Sequence, residues 1–457
     1  MKIIIVGDGK VGYSLAEGLS KEDNDVTIID KNSQALQKAS DNLDVMCIKG
    51  SGGSAQILQA AGVQEADLLV AATSSDEMNM VCCLIGKKLG AAATVARIRD
   101  PEYAHELAGI KRDLGLDMII NPEQAAAGEI ARQLRFSSSA NVDVFARGRA
   151  ELVEIRVTAE MVLANMSLYE MHSHFSMGVL VGAVEREGQV FIPNGESVLQ
   201  AGDTIYMVGR PSNISDFCKR VGMHTQKVKD AMIIGGGRVA YYLSRYLAET
   251  GIKVKIIEID PQRCNELAEL LPGTLIICGD GSDDSFLRSE NLGDMDAFVA
   301  VTGRDEENLL NALMAKQSGV PKVVAKANRI NYAHVIEGLG IDSVVAPKQI
   351  VTNHIIKYVR GLKNAMGNKV ETLYKIVGGR AEALEFTAGP STSFLEMPLK
   401  ELTLIPGVLL AAIVRGADVI IPHGSDAVRK GDSVIIVTTQ ENLTDLNQIV
   451  ARGVMPQ

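Results

Sequence analysis

Apolar residues in this chain fall into two kinds of run that alternate. Short continuous blocks, among them Ile3–Val6, Val26–Ile29, Val45–Ile48 and Leu68–Ala72, carry no polar alternation, and a strand that is apolar at every position must be covered on both faces. Between them lie longer segments such as Val11–Ser20 and Asp76–Leu89, which read as helices. Strand, helix, strand in this order predicts a parallel, doubly wound α/β sheet. Other stretches, "VEIRV" at 153 and "LEF" at 384, alternate apolar and polar residues around glycine turns. These predict small antiparallel sheets packed with a helix or two.

The pattern occurs twice. "IIIVGDGKVGYSLAEGL" at 3 reappears as "AMIIGGGRVAYYLSRYL" at 231, "VTIID" as "VKIIE", and "IKGSGGSAQIL" as "ICGDGSDDSFL". The match runs on through "ADLLVAATSSDEMNM" and "MDAFVAVTGRDEENL", then "NPEQAAAGEIARQLR" and "APKQIVTNHIIKYVR". The smaller stretches also match, "VLVGAVEREGQVFIPNGESVLQAGDTIYMVG" with "LLAAIVRGADVIIPHGSDAVRKGDSVIIVT". The expectation is two Rossmann-type nucleotide-binding domains, 1–136 and 228–361, each followed by a small α+β domain, 140–224 and 369–453. Polar, helix-weak "RFSSSANVDVFARG" at 135 and "GLKNAMGNK" at 361 read as the connections.

Size and charge agree with this. The 457 residues are too many for one domain of roughly 100 to 200, and 4% aromatic content with no Trp suits aliphatic, sheet-centred cores. A net charge of -10 argues against nucleic acid, whose phosphates are held by clustered Lys and Arg. Runs such as "GVLLAAIV" are far short of the about 20 residues that span a bilayer, so direct membrane insertion is not expected. With no signal-peptide pattern and no Cys-x-x-Cys pair, the chain reads as cytosolic with reduced thiols.

The chemistry concentrates in the turn after the first strand of each large unit. In such a turn the first glycine permits the tight bend, the second lets the backbone approach pyrophosphate, and the third lets helix pack on strand. Gly7, Gly9 and Gly12 fill these places, as do Gly235, Gly237 and Ala240. An acidic residue ends the second strand where ribose hydroxyls are received: Asp30, and Glu258, with Asp260 two residues on as its rival. The competing reading is a Rossmann turn that holds no ligand. Asp8 is expected to supply its N–H and turn its side chain to water. Lys10 and Arg238 stand at the helix starts against the dipole, so each faces either a phosphate or solvent.

At the carboxyl end of the fourth strand, Thr73, Ser74 and Thr302 read as donors to phosphate or ribose, and Asp76, Glu77, Asp305 and Glu306 as residues favouring a helix start. Arg97 and Lys326, ending the fifth strand, read as cations for the ligand or as partners of these acids. Support for catalysis is thin. His172 and His174 could face a metal from one strand, but no Cys, Asp or Glu cluster accompanies them, so neither a catalytic nor a metal site is assigned. Cys82 and Cys83 read as packing on a helix. An NAD-dependent oxidoreductase is the alternative function, and it lacks an evident acid or base beside a nicotinamide.

In combination, "GDGKVG", "IID", "GSGGSAQIL", "ADLLVAATSSDEMNM" and "VARIRDPEY", each large unit trailed by a "VFIPNG…AGD" unit, resemble the TrkA family, peripheral regulatory subunits of bacterial Trk potassium uptake systems. Members carry two tandem RCK (regulator of potassium conductance) modules, each with a nucleotide-binding lobe and a C-terminal lobe. The resemblance implies a cytoplasmic, peripheral protein held at the inner face of the membrane by a potassium-translocating partner. It further implies a homotetrameric ring and a ligand that is NAD(H), or ATP and ADP. Carried over by position, the contacts are Gly7, Asp8, Gly9, Lys10, Val11, Gly12, Asp30, Ser51, Thr73, Ser74 and Arg97 in the first lobe. In the second they are Gly235, Gly236, Gly237, Arg238, Val239, Glu258, Asp280, Thr302 and Lys326. Asp8, Ser51 in place of an Asp, and Lys326 in place of an Arg depart from the family pattern and leave the ligand of each lobe open.

Overall fold

The computed structural model describes residues 1–103, 111, 113–135, 142–175, 178–222, 228–328, 341–363, 370–440 and 442–451. In the first large unit, β1 (Lys2–Val6), β2 (Asp25–Asp30), β3 (Met46–Lys49), β4 (Leu68–Ala71), β5 (Ala93–Arg97) and β6 (Met118–Ile120) form a parallel sheet in the order β3-β2-β1-β4-β5-β6. The order reverses between β1 and β4, which opens a crevice at their carboxyl ends. The continuous apolar runs behave as expected: Ile3, Ile5, Leu68 and Val70 are buried on one face, and Ile4, Val6, Leu69 and Ala71 on the other.

The second large unit repeats this with β12 (Asp230–Ile234), β13 (Lys253–Glu258), β14 (Leu275–Cys278), β15 (Ala297–Ala300), β16 (Lys322–Lys326) and β17 (Ser343–Val345), in the order β14-β13-β12-β15-β16-β17. Each small unit is a five-stranded antiparallel sheet. The first holds β7 (Val142–Phe145), β8 (Ala150–Arg156), β9 (Val179–Arg186), β10 (Gln189–Phe191) and β11 (Thr204–Gly209). The second holds β18 (Val370–Ile376), β19 (Ala381–Thr387), β20 (Val408–Arg415), β21 (Asp418–Ile420) and β22 (Ser433–Thr438). Part of the stretch read as a connection is therefore strand β7. The first small unit adds helices Leu168–Phe175 and Pro211–Arg220; His172 and His174 lie on the former, not on a strand, so their side chains do not share a face.

The halves are interleaved. Helix Pro122–Arg135, which follows β6, buries Ala126, Ala127, Ile130, Ala131 and Leu134 against Val239, Leu243 and Leu247 of the second large unit. Helix Pro347–Lys363, which follows β17, buries Val351, Ile355, Ile356 and Val359 in a core shared with Val11, Leu15 and Leu19 of the first. Each large unit is thus covered by the linker helix of the other. Approach is close: a Cβ added at Gly18 would stand 2.7 Å from Thr352 Cγ2. The two small sheets also pack together, and Ala150, Ala183, Ala383, Ala411 and Ala412 keep that interface thin.

A buried ion cluster pins one of these crossings. Arg360, 1% exposed, donates to Glu22 Oε1 and Oε2 at 2.5 and 2.8 Å and to Glu382 Oε1 and Oε2 at 2.9 and 2.8 Å. Burial works against its charge, and the hydrogen bonds to Glu22 and Glu382 override that and raise its pKa. One guanidinium so joins the first large unit, the second linker helix and the second small unit. At the other crossing, Arg132 Nη1 donates to the Tyr374 hydroxyl at 3.1 Å, which itself donates to the Val144 carbonyl at 3.0 Å.

Candidate functional site

The turn after β1 is drawn tight by Gly7, at φ +100, whose N–H donates to the Ile29 carbonyl at 2.8 Å; Gly235, at φ +96, does the same to Ile257 at 2.9 Å. A Cβ on Gly12 would stand 1.8 Å from the Gly7 carbonyl oxygen. Helices Lys10–Ser20 and Arg238–Glu249 then begin at Gly9 and Gly237 with no side-chain cap and no acidic residue in the first turn. Their leading N–H groups are left for an anion. Val11 and Val239 are buried, so they offer backbone only.

A carboxylate at the end of the second strand holds the turn. Asp30 accepts from the Asp8 N–H at 2.6 Å and the Asn32 N–H at 2.7 Å. Glu258 accepts from the Gly236 N–H at 2.5 Å and the Asp260 N–H at 2.9 Å. This decides between the two acids of the second unit: Asp260 caps helix Pro261–Leu270 by accepting from the Gln262 N–H, and Glu258 takes the turn.

Asp8 corrects an expectation. Its side chain is 9% exposed rather than turned to water, and neither carboxylate oxygen has a hydrogen-bond partner. Burial, then the charge of Asp30, raise its pKa to about 6, with Lys38 pulling the other way. The second unit shows where such a side chain goes: a Cβ on Gly236 would meet Leu267 Cδ1 at 2.5 Å and Glu258 Oε2 at 3.0 Å. Asp8, Asp30 and Ala39 thus occupy the space that Gly236, Glu258 and Leu267 fill in the repeat. A shorter acid and a smaller helix residue make room for an extra carboxylate.

After the third strand, Ser51 is half-buried and accepts from the Ser54 N–H at 3.0 Å through its carbonyl. Asp280 is exposed and accepts from the Ser282 N–H and hydroxyl at 2.9 and 2.7 Å, which hold its carboxyl below the usual range. After the fourth strand, Thr73 gives both its N–H and its hydroxyl to Asn79 Oδ1, at 2.8 and 2.7 Å. Thr302 does the same to Asn308, at 2.9 and 2.8 Å. These threonines shape the crevice wall, and their donors are spent. Ser74 is exposed, and its carbonyl accepts from the Arg99 guanidinium.

Asn79 and Asn308, both 0% exposed, were missed in the sequence. Each also donates from Nδ2 to the end of the fifth strand, to Arg97 O at 2.8 Å and Lys326 O at 2.9 Å. They stitch β4 to β5 and β15 to β16 at the crevice. The signal was available: both fall at one place in "DEMN" and "DEEN". The acids beside them do more than favour a helix start, because Asp76 Oδ2 accepts from the Arg99 and Asp100 N–H groups at 2.8 and 2.9 Å.

In the second unit these parts enclose a cavity of about 620 Å³, within the size of a nucleotide site. Gly235, Gly237, Arg238, Val239, Glu258, Asp280, Thr302 and Lys326 line it; Gly236 does not, its N–H being turned to Glu258. Glu123, from the first linker helix, also lines it. The same Glu123 reaches Arg97 Nη2 of the first unit at 3.9 Å with Oε1, while Oε2 is buried without a hydrogen bond. Burial, then Arg99, lower the Arg97 pKa, and Arg238 adds to this across the seam. Burial lowers that of Lys326, with Asp305 and Glu123 opposing and Lys10 reinforcing. The cations of the two crevices therefore meet around one carboxylate. At its place the second linker helix carries Lys348, in "APKQ" against "NPEQ".

Outside the crevices, His172 and His423 face each other from the two small units with ring centroids 6.2 Å apart. Among the described residues no three of His, Cys, Asp and Glu stand together as metal ligands, and no helix is long and apolar enough to cross a membrane. Cys82 and Cys83 are buried, and burial pushes the Cys82 thiol up to about 11.

Comparison with known proteins agrees with the repeat. The TrkA-N domain model matches residues 3–122 and 231–347, and the TrkA-C domain model matches 152–222 and 383–451. The chain is 38% identical over 444 residues to Trk system potassium uptake protein TrkA homolog 1 of Methanosarcina mazei, covering 95% of this chain and 97% of the relative. It is 33% identical over 457 residues to Trk system potassium uptake protein TrkA of Haemophilus influenzae, covering 98% of each. The GsuK channel solved with NAD shares its fold, with a TM-score of 0.61 at 18% identity over 96% of this chain and 77% of that one.

Proposed function

The chain belongs to the TrkA family of Trk potassium uptake proteins, and from that premise we propose that it is a nucleotide-sensing regulatory subunit controlling a membrane potassium-translocating partner. The observation that carries the reading is the pairing, in both large units, of an uncapped helix N-terminus with a strand-end carboxylate, Asp30 or Glu258, that holds the turn beside it. That pairing offers N–H groups to a diphosphate and a carboxylate to ribose hydroxyls, and Arg97 or Lys326 supplies a cation beyond. NAD(H), ATP and ADP all present these groups. The GsuK channel is recorded with NAD, which supports the same ligand class here.

The proposed mechanism is a shift of population. Because the two units are interleaved through their linker helices, a nucleotide that draws its turn and Arg97 or Lys326 together alters the packing of the opposite unit. A ring of such chains, with four copies as the family resemblance implies, is biased toward the geometry that binds the nucleotide better, by no more than that difference in affinity. The protein acts from the cytoplasmic side, held to the membrane by its partner, and performs no reaction on the nucleotide.

The test is potassium flux through the partner reconstituted with this chain, titrated with NADH, NAD, ATP and ADP. Flux that differs among the nucleotides supports the reading; identical flux at saturation with all four overturns it. Turnover of NADH with a carbonyl substrate would move the chain to the oxidoreductases.

A further inference from the structure

The second large unit carries a pair of thiols where the first has one, Cys47, whose Sγ donates to the Leu36 carbonyl at 3.5 Å. Cys264 lies on helix Pro261–Leu270, 7% exposed, and its Sγ donates to the Glu258 carbonyl at 3.4 Å. Cys278 ends β14, is exposed, and its Sγ lies 4.0 Å from the Ile259 carbonyl. The strand register sets Cys278 beside Glu258. The two sulfurs therefore lie as neighbours against consecutive peptide units, one on the Glu258 carbonyl and the other on that of Ile259. At the equivalent places the first unit has Leu36 and Lys49, the latter paired with Asp30.

These peptides form the back of a cavity wall, since Glu258, Ile259 and Asp280 line the cavity and Glu258 holds the turn. We propose that Cys264 and Cys278 are an oxidation site that closes as an intramolecular disulfide and loosens nucleotide binding in the second unit alone. The nucleotide half of this rests on the function proposed above.

The oxidant is a peroxide. The Cys278 sulfur attacks one oxygen of hydrogen peroxide, the O–O bond breaks and water leaves, giving a sulfenic acid. The Cys264 sulfur then displaces its hydroxyl as a second water; each sulfur has lost one electron and both thiol protons end in water. Burial, then the neighbouring Cys278 thiol, push the Cys264 thiol up to about 11, so the exposed Cys278 reacts first. Closing the bond brings the sulfurs to about 2.05 Å. That pulls the first turn of the helix and the end of β14 together beneath Ile259, while Cys82, Cys83 and Cys218, all buried, serve as unreactive controls.

The experiment treats the full-length protein with hydrogen peroxide, maps disulfides by mass spectrometry, and measures ADP and NADH by equilibrium dialysis. Asp30→Ala protein reports the second unit and Glu258→Ala protein the first. We expect a Cys264–Cys278 crosslink and binding about fivefold weaker in the Asp30→Ala protein, restored by dithiothreitol, a shift at the low end of measured site coupling. Glu258→Ala protein should be unchanged, and Cys278→Ser should neither crosslink nor weaken. Free thiols after treatment, or Cys278 oxidised without a crosslink, overturn the site; a crosslink with unaltered affinity overturns its effect on binding. If reduced protein binds neither nucleotide, the proposed function fails instead, and the mapped crosslink still decides the thiol chemistry.

Discussion

The two large units hold the same turn with different residues, and the difference is compensated in space. In the first, Asp30 and a buried Asp8 sit over Ala39; in the second, Glu258 reaches further over Gly236 and Leu267. An acid one carbon shorter and a smaller helix residue leave volume that Asp8 fills. What is kept between the units is a carboxylate oxygen on the N–H that follows the first glycine. The surroundings are free to vary, and the first unit ends with an additional carboxyl raised to about 6 beside Asp30. The linkers differ in the same spirit: the second is pinned by a buried guanidinium between two carboxylates, the first by an arginine on a tyrosine hydroxyl.

The largest effect should come from breaking the pinned linker. Arg360→Ala leaves Glu382 buried without its guanidinium and takes from Glu22 the closer of its two cations, Lys375 remaining at 3.7 Å, and is expected to cost about 3–5 kcal/mol, read by denaturant unfolding; a loss no greater than that of Arg132→Ala would erase the contrast. Next is the third glycine. Gly12→Ala forces a Cβ into the Gly7 carbonyl, and should cost about 1–3 kcal/mol with nucleotide binding lost in the first unit, whereas the second unit already carries Ala240. Equal tolerance in calorimetry would show the first turn to be as open as the second.

Asp8 supplies a pH signature. Because its folded pKa is raised from 3.8 to about 6, the native state favours the protonated form, and stability falls as pH rises through that window. Asp8→Asn should remove this slope and gain about 1 kcal/mol above it after allowance for solvent screening, with no gain below pH 3.8. Melting curves of both proteins across the window test it, and parallel curves would count against it. The smallest effect is at the seam: Glu123→Gln frees Arg97 and Lys326 and should tighten ADP about threefold in both units, fading with salt. Unchanged affinity in both would show that the carboxylate is not shared.

Much of this was legible in the residues. The buried parallel strands, both turns and Asp30 followed from continuous apolar runs, glycine spacing and an acid at the end of a strand, because each depends on neighbours close in sequence. Asp8 was misread, since spacing told that its N–H faced the turn and not what stood behind it. Asn79 and Asn308 were overlooked because an Asn inside a helical run looks like a solvated position until its side chain is seen to tie two strands. Glu123 differs from its repeat partner Lys348 only in charge, and a charge alone does not say which crevice it serves.

By itself the sequence determined the duplication, the two doubly wound sheets and the two nucleotide turns, since periodicity and local backbone geometry are written residue by residue. Only the tertiary structure decided which linker helix covers which unit. An apolar helix face demands a cover without specifying whose, and the two large units offer nearly the same one. From that exchange follow the shared Glu123, the Arg360 cluster and the seam where the cations of both crevices meet.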